Sequence, residues 1–286
     1  MEIKKIKSEN YPYLLKQIPS PPKEFYIKGS MPSEELNYLA VVGTRRFSNY
    51  GKDVCEKLIA GLAGYNFVIV SGLALGIDAI AHAAALRAGI PTIAVPGSGL
   101  SDNVLHPRSH LKLSKEIVEA GGCLLSEFPP DYPAGLHTFP QRNRIIAGLT
   151  TATLVIEAPE KSGALITSKF ALDFNRDVMA VPGSIFNENS KGTNGLIKRG
   201  AIPITCVDDI LDAFDIAREG ENLKLNFSDN LSDLEKEIII ALNEPMPKDS
   251  LIRKIGKPAT LINPALTMMQ INGLIQESGA EIRKNI

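Results

Sequence analysis

Residues 67–86 read Phe67-Val68-Ile69-Val70-Ser71-Gly72-Leu73-Ala74-Leu75-Gly76-Ile77-Asp78-Ala79-Ile80-Ala81-His82-Ala83-Ala84-Ala85-Leu86, and their pattern decides the fold. Phe67–Val70 is a continuous aromatic and β-branched run, the composition of a strand buried on both faces. A glycine-bearing turn follows. The stretch Ile77–Ala88 is then apolar almost all round, which predicts a well-buried helix. Strand, glycine turn and buried helix make half of a βαβ unit.

The same order recurs on both sides of this stretch. Further candidate strands are Tyr38–Val42, Pro91–Val95, Cys123–Ser126, Ala152–Glu157, Val178–Val181 and Ala201–Cys206. Between them Tyr50–Gly64, Ser109–Ala120, Gln141–Leu149, Ser162–Phe174 and Asn194–Lys198 read as helices. The alternation predicts an α/β protein with a Rossmann-like, mostly parallel sheet covered by helices on both faces. Residues 38–218 form this domain in the sequence reading. Residues 1–37, with Pro12 and Pro19-Ser20-Pro21-Pro22, read as an irregular lead-in packed on it, and the polar stretch 219–229 as a linker.

Residues 230–286 follow a different pattern. Ser232 and Glu235 have capping-box spacing and open a helix Asp233–Leu242. A helix Lys248–Ile255 comes next, then Asn263 as N-cap with Pro264 at the first position of Ala265–Ile271. Gly273 closes that helix, and residues 274–282 read as a hairpin. Three helices and a hairpin in this order predict a small winged-helix-like domain. Its recognition-helix position, Pro264–Ile271, has no lysine or arginine, which argues against reading duplex bases and for a protein-contact or auxiliary role.

Composition narrows the function classes. No apolar run of the 286 residues approaches the ~20 needed to span a bilayer, and the first residues have no signal-peptide h-region, so a cytoplasmic protein without membrane contact is expected. Cys55, Cys123 and Cys206 are too scattered for a disulfide framework or metal knuckle and read as small core residues. With 31 basic and 32 acidic residues, a nucleic acid would have to be held by a local basic groove.

In an open parallel sheet, ligands sit beyond the carboxyl ends of the strands. Five loops there are rich in glycine and serine: Gly43-Thr44-Arg45-Arg46, Ser71-Gly72, Gly97-Ser98-Gly99, Lys161-Ser162-Gly163 and Gly183-Ser184. Glycine lets backbone approach a ligand, and free amides at the next helix start favour an anion. With Arg45, Arg46 and Lys161 among them, they predict a phosphate-binding rim. Thr138–Ile146 adds Phe139, Arg142, Asn143 and Arg144 at a helix start, which suits a nucleic-acid strand. The other reading is that Phe139 is core and one arginine pairs with a carboxylate. Gly97-x-Gly99 lacks the third glycine of a dinucleotide fingerprint, and no GxxxxGK[ST] occurs, so no cofactor is expected. His106 and His110 lack a third metal ligand nearby. Asp78 reads as a backbone cap near a helix start and His82 as a satisfied core histidine, so no catalytic residue is assigned.

Together these segments resemble the DNA-processing protein A family (DprA, also called Smf). The resemblance is carried by Val42-Gly43-Thr44-Arg45 with Ser48 and Tyr50-Gly51, by Val70-Ser71-Gly72-Leu73-Ala74 with Gly76-Ile77-Asp78 and Ala81-His82, and by Phe139-Pro140 with Arg142–Leu149. Val155–Ala158, Lys161-Ser162-Gly163 and Ala180–Gly183 extend it, and it covers nearly everything from Tyr11 to Ala201. It implies sequence-independent binding of single-stranded DNA, loading of the RecA recombinase during natural transformation, and a homodimer through the Rossmann-like domain. It also implies action by binding, with Arg45 as lead phosphate contact and Ser71-Gly72, Asn143 and Lys161-Ser162-Gly163 in the same pocket. Leu75 departs from the family, which usually has a basic residue there. The alternative reading is a nucleotide-metabolising enzyme of related fold, such as a nucleoside monophosphate hydrolase. That group's PGGxGTxxE motif is not matched by Pro182-Gly183-Ser184-Ile185-Phe186.

Overall fold

A computed structural model of the chain describes residues 2–216, 232–242, 245–271, 274–278 and 281–284. The chain divides into two compact units, Met1–Ile216 and Ala217–Ile286. The linker expected at 219–229 and the helix-closing Gly273 lie outside the described residues.

The strands of the first unit are β1 (Ile3–Ile6), β2 (Phe25–Gly29), β3 (Asn37–Val42), β4 (Phe67–Ser71), β5 (Thr92–Ala94), β6 (Cys123–Ser126), β7 (Ala152–Val155), β8 (Asp177–Ala180) and β9 (Ile202–Pro203). They form one nine-stranded sheet in the order β1-β2-β6-β5-β4-β3-β7-β8-β9. From β6 to β9 all neighbours are parallel, while β1 and β2 are antiparallel additions at one edge. The helices are α1 (Tyr13–Lys16), α2 (Asn49–Gly61), α3 (Ile77–Arg87), α4 (Leu111–Glu119), α5 (Thr138–Gly148), α6 (Gly163–Asp173), α7 (Lys191–Lys198) and α8 (Val207–Ala213).

The apolar strands are buried on both sides because their side chains alternate between two cores. In β3, Tyr38, Ala40 and Val42 enter a core shared with α5 and α6. Leu39 and Val41 enter the opposite core, shared with α2, α3 and α8. This two-sided burial is why the strands carry continuous apolar runs.

Strand order fixes where the site lies. From β3 the chain runs outward through β4, β5 and β6, then returns to lay β7 against the other side of β3. The loops after β3 and β7 therefore diverge at a topological switch point, which leaves a crevice at the strand carboxyl ends.

Several expectations are corrected. The lead-in is not irregular: β1 and β2 extend the sheet, with Phe25 and Ile27 packing into one core while Tyr26 packs with α4 on the other face. β2 pairs with β6, about a hundred residues on and too far for local pattern to show, and β1 pairs in turn with β2. The segment Val207–Ala213 is a helix that the reading missed. Cys206 is exposed at its start, because the Asp209 carboxylate accepts the Thr205 and Cys206 amides and fixes that end in solvent. His82 is only half satisfied. Its Nδ1 lies 2.7 Å from the Thr92 hydroxyl, which itself donates to Ile69 O, so Nδ1 carries the proton. Nε2 has no partner among the described residues, and burial pushes the imidazole pKa down to about 3.

The second unit contains α9 (Asp233–Ala241), β10 (Met246–Pro247), α10 (Lys248–Ile255), α11 (Ala259–Ile271), β11 (Ile275–Ser278) and β12 (Glu281–Lys284). Ser232 and Glu235 cap α9 reciprocally. The hairpin strands β11 and β12 are joined on the other side of β12 by β10. Pro264 is not at a helix start but inside α11, which begins five residues earlier. Buried Ile262, Leu266 and Met269, at helical spacing, carry the apolar stripe through the proline, and Pro258 precedes the first turn.

Candidate functional site

The loops following β3 and β7, together with α5 and the start of α6, enclose a cleft of about 470 Å³ at the switch point. Gly43, Thr44, Arg45 and Arg46 line one wall, and Lys161, Ser162 and Gly163 line another. Leu136, Phe139, Arg142 and Asn143 complete it.

Two buried polar ties set the loop geometry. The first is Glu157, 1% exposed, two residues beyond the end of β7. Its carbonyl accepts the Thr44 amide at 2.7 Å. Its carboxylate accepts the Ser48 amide at 2.9 Å and the Ser48 hydroxyl at 2.5 Å, while Ser48 caps α2. A Cβ at Gly51 would lie 2.3 Å from that carboxylate and would have to displace it.

The second tie centres on Arg142. Its guanidinium donates to Gly72 O, Val95 O and Asn143 Oδ1, which links the ends of β4 and β5 to α5. Asn143 in turn donates to Gly163 O at 3.2 Å, which reaches the start of α6. Asp78 accepts the Gly72 amide at 3.1 Å, and its charge acts on Arg142. Burial pushes the Asp78 carboxyl up, against the pull of Arg142 and the neighbouring backbone amides. Burial likewise pushes the Arg142 pKa down to about 10, so the guanidinium remains charged at neutral pH. This network ties the ends of β4 and β5 to α5 and the start of α6, as Glu157 ties the loop after β7 to the turn after β3.

The predicted rim residues therefore fall into two groups. Arg45, Arg46 and Lys161 are exposed, and among the described residues no carboxylate forms a salt bridge with them. The Arg45 guanidinium lies 5.3 Å from the ring centre of Phe139, which is half-buried. Gly163 is exposed, and Ser162 accepts the Ala164 amide as N-cap, so the positive end of α6 opens onto the cleft. Asn143 lines the cleft with its amide already engaged.

The other group is occupied internally. Ser71 donates to Val41 O at 2.6 Å. Gly72 has both backbone groups bonded, to Asp78 and Arg142. Gly97 sits under Phe139, where a Cβ would come within 2.5 Å of the ring. Arg142 is buried in its network, and Arg144 pairs with Glu127. Thr44 is buried, its hydroxyl accepting the Arg46 amide. These six residues are packed into the loops that shape the rim, whereas Gly43 is half-buried on the cleft wall.

Sequence reasoning missed the links to the next loop. Asn189 Nδ2 donates to Arg46 O at 2.8 Å, and the Tyr50 hydroxyl donates to Pro182 O at 2.8 Å. No local signal marks such contacts, which join positions more than a hundred residues apart. Leu136 was also missed. It stands 91% exposed on the cleft wall.

Comparison with known proteins places this arrangement. A family model described as DNA recombination-mediator protein A matches residues 2–215. Protein Smf of Escherichia coli (strain K12) is 36% identical over 282 residues, covering 94% of this chain and 73% of that protein. The DNA processing protein DprA of Streptococcus pneumoniae (strain ATCC BAA-255 / R6) is 43% identical over 206 residues, covering 72% of this chain and 71% of its own. Among solved structures, the X-ray structure of DprA from Streptococcus pneumoniae superposes with a TM-score of 0.68 at 38% identity, over 76% of each chain. DprA from Helicobacter pylori, solved in a study of its single-stranded DNA binding mode, gives 0.65 at 29% identity, over 74% of this chain and 95% of that one. The match spans the whole sheet, the switch-point loops and the cleft, and the chain belongs to the DNA recombination-mediator protein A family, that of the DprA and Smf proteins.

Proposed function

We propose that the protein is a sequence-independent single-stranded DNA-binding protein whose strand crosses the switch-point cleft. The observation that carries this reading is the convergence of three exposed cations, Arg45, Arg46 and Lys161, with no carboxylate partner among the described residues, on a cleft with a half-buried aromatic ring. Arg45, Arg46 and Lys161 contact phosphates, and the first amides of α6, at Ser162 and Gly163, receive another. Phe139 offers a ring to a base at the cleft wall. Asn143, the buried residues Thr44, Ser71, Gly72, Gly97 and Arg142, and the half-buried Gly43 and Arg144 hold the loops in place. Membership of the family and the single-stranded DNA binding of the Helicobacter pylori relative support the reading.

The bound strand is handed to the RecA recombinase in natural transformation or recombination, the protein acts as a homodimer through the sheet-bearing unit, and the setting is the cytoplasm. Family resemblance supports these three. No helix among the described residues is long and apolar enough to cross a membrane.

The test is a competition in fluorescence anisotropy. A labelled single-stranded oligonucleotide of mixed sequence is bound first, then challenged with unlabelled single strands of differing sequence and with duplex. Single strands displace the label with little regard to sequence, and duplex displaces it poorly. Displacement by duplex alone, or no binding accompanied by release of base from nucleoside monophosphates, contradicts the proposal.

A further inference from the structure

The chain presents two large apolar side chains to solvent beside the proposed phosphate rim. Ile185 and Phe186 are 77% and 93% exposed. They are the central residues of a turn closed by the Asn187 amide on Ser184 O at 3.0 Å. Their exposure does not come from a slack loop. Asn194 clamps Gly183 through two hydrogen bonds, at 3.2 and 2.9 Å, and the Tyr50 hydroxyl holds Pro182 O. Gly183 has no room for a Cβ, which would meet Ser190 Oγ at 2.2 Å. Beyond the turn, the Asn187 side chain accepts the Asn189 amide at 3.0 Å. A firmly anchored turn thus holds an aromatic ring in water.

The same loop is tied to the rim. Asn189 donates to the carbonyl of Arg46, and it lies three chain steps from Phe186, a reach of at most about 10 Å. Phe47, next to Arg46, is also exposed. The one carboxylate close in sequence, Glu188, is paired with Lys191 at 2.6 Å. Ile185, Phe186 and Phe47 are thus exposed apolar side chains on loops tied to the cationic rim, with the nearest carboxylate in sequence neutralised by an ion pair.

We propose that Phe186 is a nucleobase-stacking step, on which a base of a single strand rests where the strand leaves the rim past Arg46. A single strand fits this surface because its phosphates need cations and its unpaired bases need apolar, planar faces, in alternation. Duplex hides its base faces and has no use for the ring. The step rests on the single-strand reading above and adds a second base contact, on the β8 side of the cleft, to the one assigned to Phe139.

The chain contains no tryptophan, so Phe186→Trp introduces a single reporter at the step. It is titrated with an end-labelled oligothymidylate and with an end-labelled abasic strand of the same length, anisotropy following binding and tryptophan emission following stacking. Both strands bind, and only the one with bases quenches the emission. Phe186→Ala weakens oligothymidylate binding about five- to hundredfold and leaves abasic binding unchanged. Saturated binding with unchanged emission overturns the stacking step and leaves the rim standing, whereas no binding of either strand overturns both. Emission that changes with protein concentration alone, as the mass doubles, assigns the turn to contact between copies and overturns the step.

Discussion

Arg142→Ala is expected to destabilise the first unit by about 3–5 kcal/mol in equilibrium urea unfolding. The side chain is 4% exposed, and its loss leaves the Gly72 and Val95 carbonyls and the Asn143 side-chain oxygen without their donor. It also removes the positive charge that acts on buried Asp78. Orphaned buried acceptors each cost about 1–3 kcal/mol, and an uncompensated carboxylate adds to them. The account further predicts coupling. Asp78→Asn combined with Arg142→Ala should be less destabilising than the sum of the two single changes, by about 0.5–3 kcal/mol. Strict additivity would show that the two charges do not sense each other. A loss under about 1 kcal/mol for Arg142→Ala would return this arginine to the role of a surface phosphate contact.

The second large effect is expected at Gly76. Its φ of 87° and ψ of −133° suit glycine alone, and a Cβ there would lie 2.3 Å from Thr44 O and 2.7 Å from the Arg45 Cα. Backbone strain of this kind costs about 1–3 kcal/mol, and relief of the clash must push the turn that carries Arg45 away from α3. Gly76→Ala should therefore lower both stability and single-strand affinity. Gly89→Ala supplies the comparison. That glycine also has positive φ, at 68°, but nothing lies within 4 Å of its missing side chain. It should lose stability and keep affinity. Equal affinities for the two variants would separate the 44–46 turn from DNA binding.

The central parallel strands and their helices were legible because β-branched runs alternate with helical stretches, and because strand ends in such sheets are where ligand loops lie. The register of exposed and buried arginines was not. Arg45, Arg142 and Arg144 are alike in sequence, each beside small or polar residues at a strand end or helix start. What separates them is three-dimensional. The carbonyls that capture Arg142 lie 70 and 47 residues away, and Arg144 meets a carboxylate 17 residues before it. The lead-in strands escaped for the same reason, since β2 is defined by pairing with β6. In α11 the conflict was local: Asn263-Pro264 has the form of a helix start, and the burial of Ile262 overrides it. Charged residues at a glycine-rich rim can be found by pattern, but which of them faces solvent is decided by backbone groups that pattern does not contain.

The central claim is that exposed cations at the switch-point cleft hold the phosphates of a single strand. Its most direct test is the salt dependence of single-strand affinity for the wild type and for Arg45→Ala/Lys161→Ala, with folding of both checked by circular dichroism. Each phosphate neutralised contributes about 0.7 to the slope of log affinity against log salt on single strands. The double variant should bind more weakly at low salt, with a slope shallower by about 1.4. A folded double variant with wild-type affinity and an unchanged slope would contradict the account and place the DNA elsewhere on the molecule.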